Sequence, residues 1–209
     1  MKEINPKRIT WKPGTSIYPV PAVMVTCGTK KSDYNIITVS WTGTICTNPP
    51  MCYISLRPER YSHKIISKEK EFVINLTTKE LAFATDWCGV KSGEKLNKFS
   101  EMKLTPIKAS KIKSPLIAES PINIECKVKK IIKLGSHDMF LSEVVAINVN
   151  PRFLNSKTNS FNLEAAEPIA YSHGKYYSLG KRLGKFGFSV EKKKTKNKRK
   201  LKNKNDKLK

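Results

Sequence analysis

The chain has 209 residues, 39% of them hydrophobic and 27% charged, enough for one domain with its own core and too apolar for wholesale disorder. No stretch approaches the roughly 18 apolar residues of a membrane span, and the opening MKEINPKRITWK lacks the apolar run of a secretory signal, so a cytoplasmic protein is expected. The formal charge of +23 divides between residues 191–209, with eleven basic and two acidic residues, and a body of net +14 whose lysines form no single run. A coding bias toward Lys, Asn and Ile gives the same look, so the charge alone is weak grounds for a nucleic-acid protein.

Tyr18–Cys27 (YPVPAVMVTC) reads as a β-branched apolar strand after a proline-rich entry, Gly28–Asn35 as a polar turn and Ile36–Trp41 as the returning strand of a first hairpin. Thr42–Pro50 (TGTICTNPP) interrupts with Gly and a Pro-Pro pair before Met51–Leu56 (MCYISL) resumes the strand pattern. After Arg57–Tyr61, Ser62 stands in an N-cap position before a short helix whose Ile65 and Ile66 face inward. Glu71–Leu76 (EFVINL) is a buried-strand pattern. Thr78–Cys88 is helix-like, with Thr78 as its cap, and Gly89 and Gly93 break it before a further helical turn through Lys95–Phe99. Ile122, Ile124, Cys126 and Val128 alternate with polar residues at the period of a half-buried strand. Leu141–Val149 returns beside it, with Gly135 and His137 near the hairpin tip. Six or seven strands and two or three short helices, without βαβ alternation, predict a mainly β, antiparallel barrel over residues 1–190 and a disordered Lys-rich tail over 191–209.

Cys27, Cys46, Cys52, Cys88 and Cys126 are odd in number and contain no CxxC pair, which fits reduced thiols; Cys88 has no resolving partner at CxxC spacing and reads as structural. Gly180, Gly184 and Gly187 have neither the spacing of a dinucleotide fingerprint nor that of a phosphate loop. His63, His137 and His173 lie far apart with no Cys or carboxylate at ligand spacing, so no metal site is expected. Ser62 and His63 are sequence neighbours without an orienting acid, and read as a capping serine and a surface histidine. The tail keeps a second function class open, a basic nucleic-acid or anionic-surface binding protein, although it has no interleaved aromatics and no amphipathic period.

Taken in order, Asn35–Trp41 (NIITVSW), Thr47–Pro50, Ser55–Ser62 (SLRPERYS), Glu71–Asn75 (EFVIN) and Gly135–His137 (GSH) resemble the flavin-reductase-like family, particularly its flavoredoxin branch. Cys88-Gly89, Ser92-Gly93 and Asn97-Lys98-Phe99 are similar to that branch's CG…SG…DKF pattern, with Asn97 in place of Asp, and Tyr171…Tyr177-Ser-Leu-Gly180 matches near the end. The resemblance covers about residues 10–190 and implies a split β-barrel homodimer that holds FMN non-covalently near the subunit interface. It implies an FMN-dependent oxidoreductase, either an NAD(P)H:flavin reductase or a flavoredoxin-like electron carrier serving a redox partner protein or a small acceptor. Arg57, Ser62 and the start of the following helix, with Tyr61 beside them, are the implied phosphate site. The loop Ser40-Trp41-Thr42-Gly43, with Thr38 before it, is the implied ring site. Asn75 either faces the same groove or satisfies a turn. His137 stands where similar reductases carry a histidine associated with nicotinamide binding.

Overall fold

Apolar runs whose two faces are both covered build the centre of the protein. The computed structural model describes residues 7–190. Its elements follow in the order β1 (Val20–Pro21), β2 (Val23–Cys27), β3 (Asn35–Val39), β4 (Thr42–Thr47), β5 (Pro50–Leu56), α1 (Tyr61–Glu69), β6 (Glu71–Asn75), α2 (Ala82–Val90), α3 (Lys98–Glu101), β7 (Pro106–Ile107), β8 (Leu116–Ile117), β9 (Ile122–Lys133), β10 (Asp138–Val149), α4 (Leu163–Ala166), β11 (Ile169–Ser172) and β12 (Lys175–Ser178). Residues up to Leu179 form one compact unit; the following segment is a separate unit with a 3-10 turn at Phe188–Val190. The expected tail at 191–209, and with it any nucleic-acid reading, lies outside the described residues.

Seven strands pair antiparallel in the order β3-β2-β6-β9-β10-β5-β4. Ser55 N donates to Trp41 O at 2.9 Å, which carries the β4–β5 ladder one residue back toward the end of β3. Bulges between β9 and β10, at Leu141/Ser142 and Val144/Ala146, supply curvature to the two longest strands. All five residues of β2 are buried because the period of two divides them between two cores. Val23, Val25 and Cys27 join Ile54, Phe72 and Phe140 inside the barrel, while Met24 and Ile36 pack outside it under α2 and α3 with Leu81, Cys88 and Phe99. Truncating a fully buried ring such as Phe140 to Ala would cost about 3–5 kcal/mol.

Several expectations need correction. Thr42–Thr47 is a strand, with Thr42 opposite Ile54 and Gly43 opposite Tyr53, because the Pro-Pro pair lies beyond it, Pro49 in the turn and Pro50 opening β5. Ser62 lies inside α1, whose N-cap is Arg60. The helical turn expected at 95–99 is α3, and Asn97 caps it by accepting from Ser100 N at 3.2 Å, a role Asn and Asp fill equally. Two small sheets form, β1-β11-β12 and β7-β8; β1 is the proline-interrupted start of the strand expected over Tyr18–Cys27, and the other four strands come from segments without a readable period. The loop between β7 and β8 is organised by carboxylates: Glu125 Oε1 and Oε2 accept from Ser110 N, Lys111 N and Ile112 N, and Glu71 Oε1 from Lys113 N and Ser114 N. Among the described residues, no helix is long and apolar enough to cross a membrane.

Candidate functional site

The end of β3 and the turn after β5 open a cleft of about 350 Å³ at one end of the barrel. Its walls are Thr38, Ser40 and Trp41 on one side, Ser55, Leu56 and Arg57 on another, His137 from the β9–β10 turn and Tyr171 from β11. Tyr18 braces this wall from behind, with its ring centroid 6.2 Å from that of Trp41 and 6.4 Å from that of Tyr171. A second hollow of about 180 Å³ is lined by Asn35, Tyr61, Ser62, Gly93 and Lys98, among others. Ile37 and Arg60 line both, so the two hollows meet along one groove.

The smaller hollow is cationic and pre-satisfied. Lys98 is 3% exposed, and its Nζ donates to Ile36 O and Cys88 O, each at 2.7 Å. An ammonium has three donors, so one remains. Burial lowers the Lys98 pKa to about 8, with the charge of Arg60 acting in the same direction. Arg60 is held by donating to Gly89 O at 2.5 Å. Asn35 Nδ2 donates to Ser62 Oγ at 2.8 Å, and the Ser62 hydroxyl also meets the buried Cys27 thiol. A Cβ on Gly93 would come within 1.8 Å of Asn35 Oδ1, so only glycine lets the chain pass this close.

The larger cleft is lined by two arginines, Arg57 and Arg60. Arg57 is paired with Glu59 at 3.5 Å through largely exposed side chains, and it sits beside His137 and not in the smaller hollow. Burial, then the Arg57 charge, lowers the His137 pKa, partly offset by Glu59. Ser136 Oγ lies 2.9 Å from His137 Nδ1.

Of the residues singled out from sequence, Thr38, Ser40, Trp41, Arg57 and His137 line the larger cleft, and Tyr61 and Ser62 the smaller hollow. Three stand elsewhere. Thr42 is committed to the barrel through Oγ1 donating to Tyr53 O at 2.6 Å, and Gly43 packs on the Tyr53 ring. Asn75 is fully buried in a core network: its Nδ2 donates to Met24 O at 2.9 Å and its Oδ1 accepts from Ile117 N at 3.0 Å and Asn123 Nδ2 at 2.7 Å. Asn35, Arg60, Lys98 and Tyr171 were not assigned, although each lies in a motif that carried the resemblance.

Two other expectations meet the structure here. Cys88 is fully buried and its thiol is pushed up to about 11, so its thiolate is scarce at neutral pH and the residue is packing. His63 is no surface residue: Nε2 donates to Asp138 Oδ2 at 2.9 Å, and the ring meets Phe140 edge-on. The orienting acid lies 75 residues away in sequence, out of reach of a local reading. No group of three or more His, Cys, Asp or Glu able to hold a metal occurs among the described residues.

Residues 15–180 match the family model described as "Flavin reductase like domain". Among solved structures, the chain is similar to flavoredoxin of Desulfovibrio vulgaris (Miyazaki F), with a TM-score of 0.81 and 26% identity over 88% of this chain and 100% of that one. Flavoredoxin from Methanosarcina acetivorans gives 0.79 and 23% over 88% and 100%. A putative flavin reductase with a split barrel domain from Shewanella frigidimarina gives 0.72 and 20% over 81% and 86%. The antiparallel barrel, the groove at its end and the span of the family match agree: this chain, a mainly β split barrel, belongs to the flavin reductase like domain family.

Proposed function

We propose that the protein holds FMN non-covalently in the groove and passes electrons through it, as a flavin reductase drawing on NAD(P)H or as a flavoredoxin-like carrier. The observation that carries this reading is one groove with a buried cation at its narrow end and aromatic walls at its wide end. The free donor of Lys98, the Arg60 guanidinium, the Ser62 hydroxyl and the first N–H groups of α1 form a donor set suited to a phosphate dianion. Trp41 and Tyr171 offer apolar faces to a planar ring, and Ser40 and Thr38 line the same wall. When bound, FMN supplies the one- and two-electron chemistry, and the chain supplies orientation and electrostatics. His137, whose pKa is lowered by burial and then by the Arg57 charge, presents its ring at the mouth of the cleft. That is a suitable contact for a nicotinamide. The reading includes a cytoplasmic homodimer with reduced thiols and either a protein or a small-molecule redox partner.

The test is a visible spectrum of the purified protein, followed by anaerobic addition of NADH and then NADPH. Flavin bands that bleach with either nucleotide are expected of a reductase, and bands that persist favour a carrier fed by another donor. A colourless protein that fails to bind added FMN in equilibrium dialysis would sink the flavoprotein reading.

A further inference from the structure

His137 hangs on a turn that runs past the end of β6: β9 pairs with β6 only through Lys127, whereas its pairing with β10 continues to Lys133 and Asp138. The tip therefore needs lateral support. One support is β5, where Leu56 pairs with Asp138. The other is α1. His63, in the first turn of that helix, donates from Nε2 to Asp138 Oδ2 at 2.9 Å, and its Nδ1 faces Ser67 Oγ at 3.5 Å. The two side chains are 15% and 9% exposed, whereas pairs such as Arg57–Glu59 and Lys129–Glu143 lie in the open. Burying a carboxylate against an imidazole is a poor way to gain stability, because desolvation offsets the attraction; what such a pair does well is fix the register of the parts it joins. Here the parts are the helix start that carries Arg60 to Ser62 and the residue adjacent to His137.

We infer that His63 is a positioning residue for His137: through Asp138 it pins the β9–β10 turn to α1 and so holds the His137 ring at the mouth of the cleft. The consequence for flavin reduction rests on the proposed function, but the coupling between the two histidines does not. Asp138 faces His63, whose ring meets that of Phe140 in a T-shaped contact, while Arg57 and Glu59 face His137, so the two rings sit in separate electrostatic surroundings joined by one residue of backbone.

The experiment is an NMR titration of the histidine rings in the full chain without flavin, with thermal melts to establish folding. In the wild type, burial and the Arg57 charge lower the His137 pKa, so its midpoint is expected below the ordinary value of about 6.5. In His63→Leu its midpoint moves up toward about 6.5 as the ring leaves the cleft, while His63→Gln, which keeps an N–H donor for Asp138, restores the wild-type curve. The double variant His63→Leu/Asp138→Leu removes the bond without leaving a buried charge. Its His137 midpoint must also rise, although the loss of a nearby carboxylate would by itself lower it. An unchanged midpoint in either folded Leu variant, or a Gln variant that behaves like Leu, overturns the assignment. With FMN and NAD(P)H present, His63→Leu should slow reduction several-fold more than it weakens FMN binding. If the wild type takes no flavin, the proposed function fails and the ring titration still decides this inference.

Discussion

Raising the pH through 8 acts on the two ends of the groove differently, because the narrow end depends on a lysine whose pKa has been brought down to about 8. FMN phosphate is a dianion throughout this range, with its second pKa near ~6. If only the ammonium form of Lys98 holds the phosphate, the apparent Kd scales as one plus ten to the power of pH minus pKa. It then rises about 25-fold between about pH 7.5 and 9.5, or ~1.9 kcal/mol. The assay is quenching of flavin fluorescence on titration with protein at constant ionic strength, with riboflavin as the control that shares the ring but not the phosphate. Lys98→Met should bind FMN about 10- to 150-fold more weakly at neutral pH, the loss of one charge-assisted hydrogen bond, and should show no pH slope.

Unfolding would not mimic this. The folded pKa of Lys98 lies below the unfolded value of 10.5, so between about 8 and 10.5 the unfolded chain binds more protons. This group alone therefore makes the flavin-free protein more stable as the pH rises, while FMN retention falls. An FMN affinity constant within twofold across the range, or a riboflavin affinity that falls in parallel, would refute the assignment of Lys98 to the phosphate.

Gly93→Ala drives a Cβ into Asn35 Oδ1 and must break the Asn35–Ser62 hydrogen bond, so it should lose about 1–3 kcal/mol in urea melts and weaken FMN binding; a wild-type midpoint would show that the loop yields freely. Burial alone would push the Glu125 carboxyl up, but donors from Ser110, Asn148, Lys111 and Ile112 outweigh it and hold the pKa below the usual carboxylate range. Its contribution to stability is thus present above about 4.5 and lost as the pH falls through the lowered value, and Glu125→Gln should cost about 1.5–3 kcal/mol at pH 7 with the gap closing in acid. His137→Ala should keep FMN but be reduced by NAD(P)H about tenfold more slowly, the worth of one hydrogen bond in the transition state; an unchanged rate in stopped-flow traces would make His137 a bystander.

The barrel was legible because its strands announce themselves locally. The alternation from Ile122 to Val128, the glycine at 135 and the returning Leu141–Val149 need only a period and a turn, and all reappear in β9 and β10. β4 was missed because Gly43 and the Pro-Pro pair look like loop, yet Gly43 is tolerated in a strand where the Tyr53 ring lies across it. β11 and β12 escape such a reading because four residues are too few to show a period, with β11 buried or half-buried throughout and β12 largely exposed. At the site, hydroxyls and arginines were easy to nominate by type and hard to place. Arg57 and Arg60 are three residues apart, and only the turn that brings Arg60 N onto Arg57 O decides which reaches the narrow hollow. Lys98 and Asp138 depend on contacts 62 and 75 residues away in sequence, and no spacing rule reports those.

What joins the two hollows is β3 itself. Asn35, its first residue, lines the narrow one, Ile37 lines both, and Thr38 to Trp41 line the wide one. The four steps of β3 at about 3.3 Å each extend roughly 13 Å, so the strand runs from the cationic end to the bend at Ser40 and Trp41 that forms the aromatic end. The same strand is fixed on both faces, with Ile36 in the outer core and Ile37 and Val39 inside the barrel. A slip of one residue would exchange every one of those faces, moving Asn35 off Ser62 and burying a polar side chain in the barrel. The packing that makes the barrel thus also fixes the distance and orientation between the two ends of the site, and neither end can be repositioned by local change in β3 without unpacking a core.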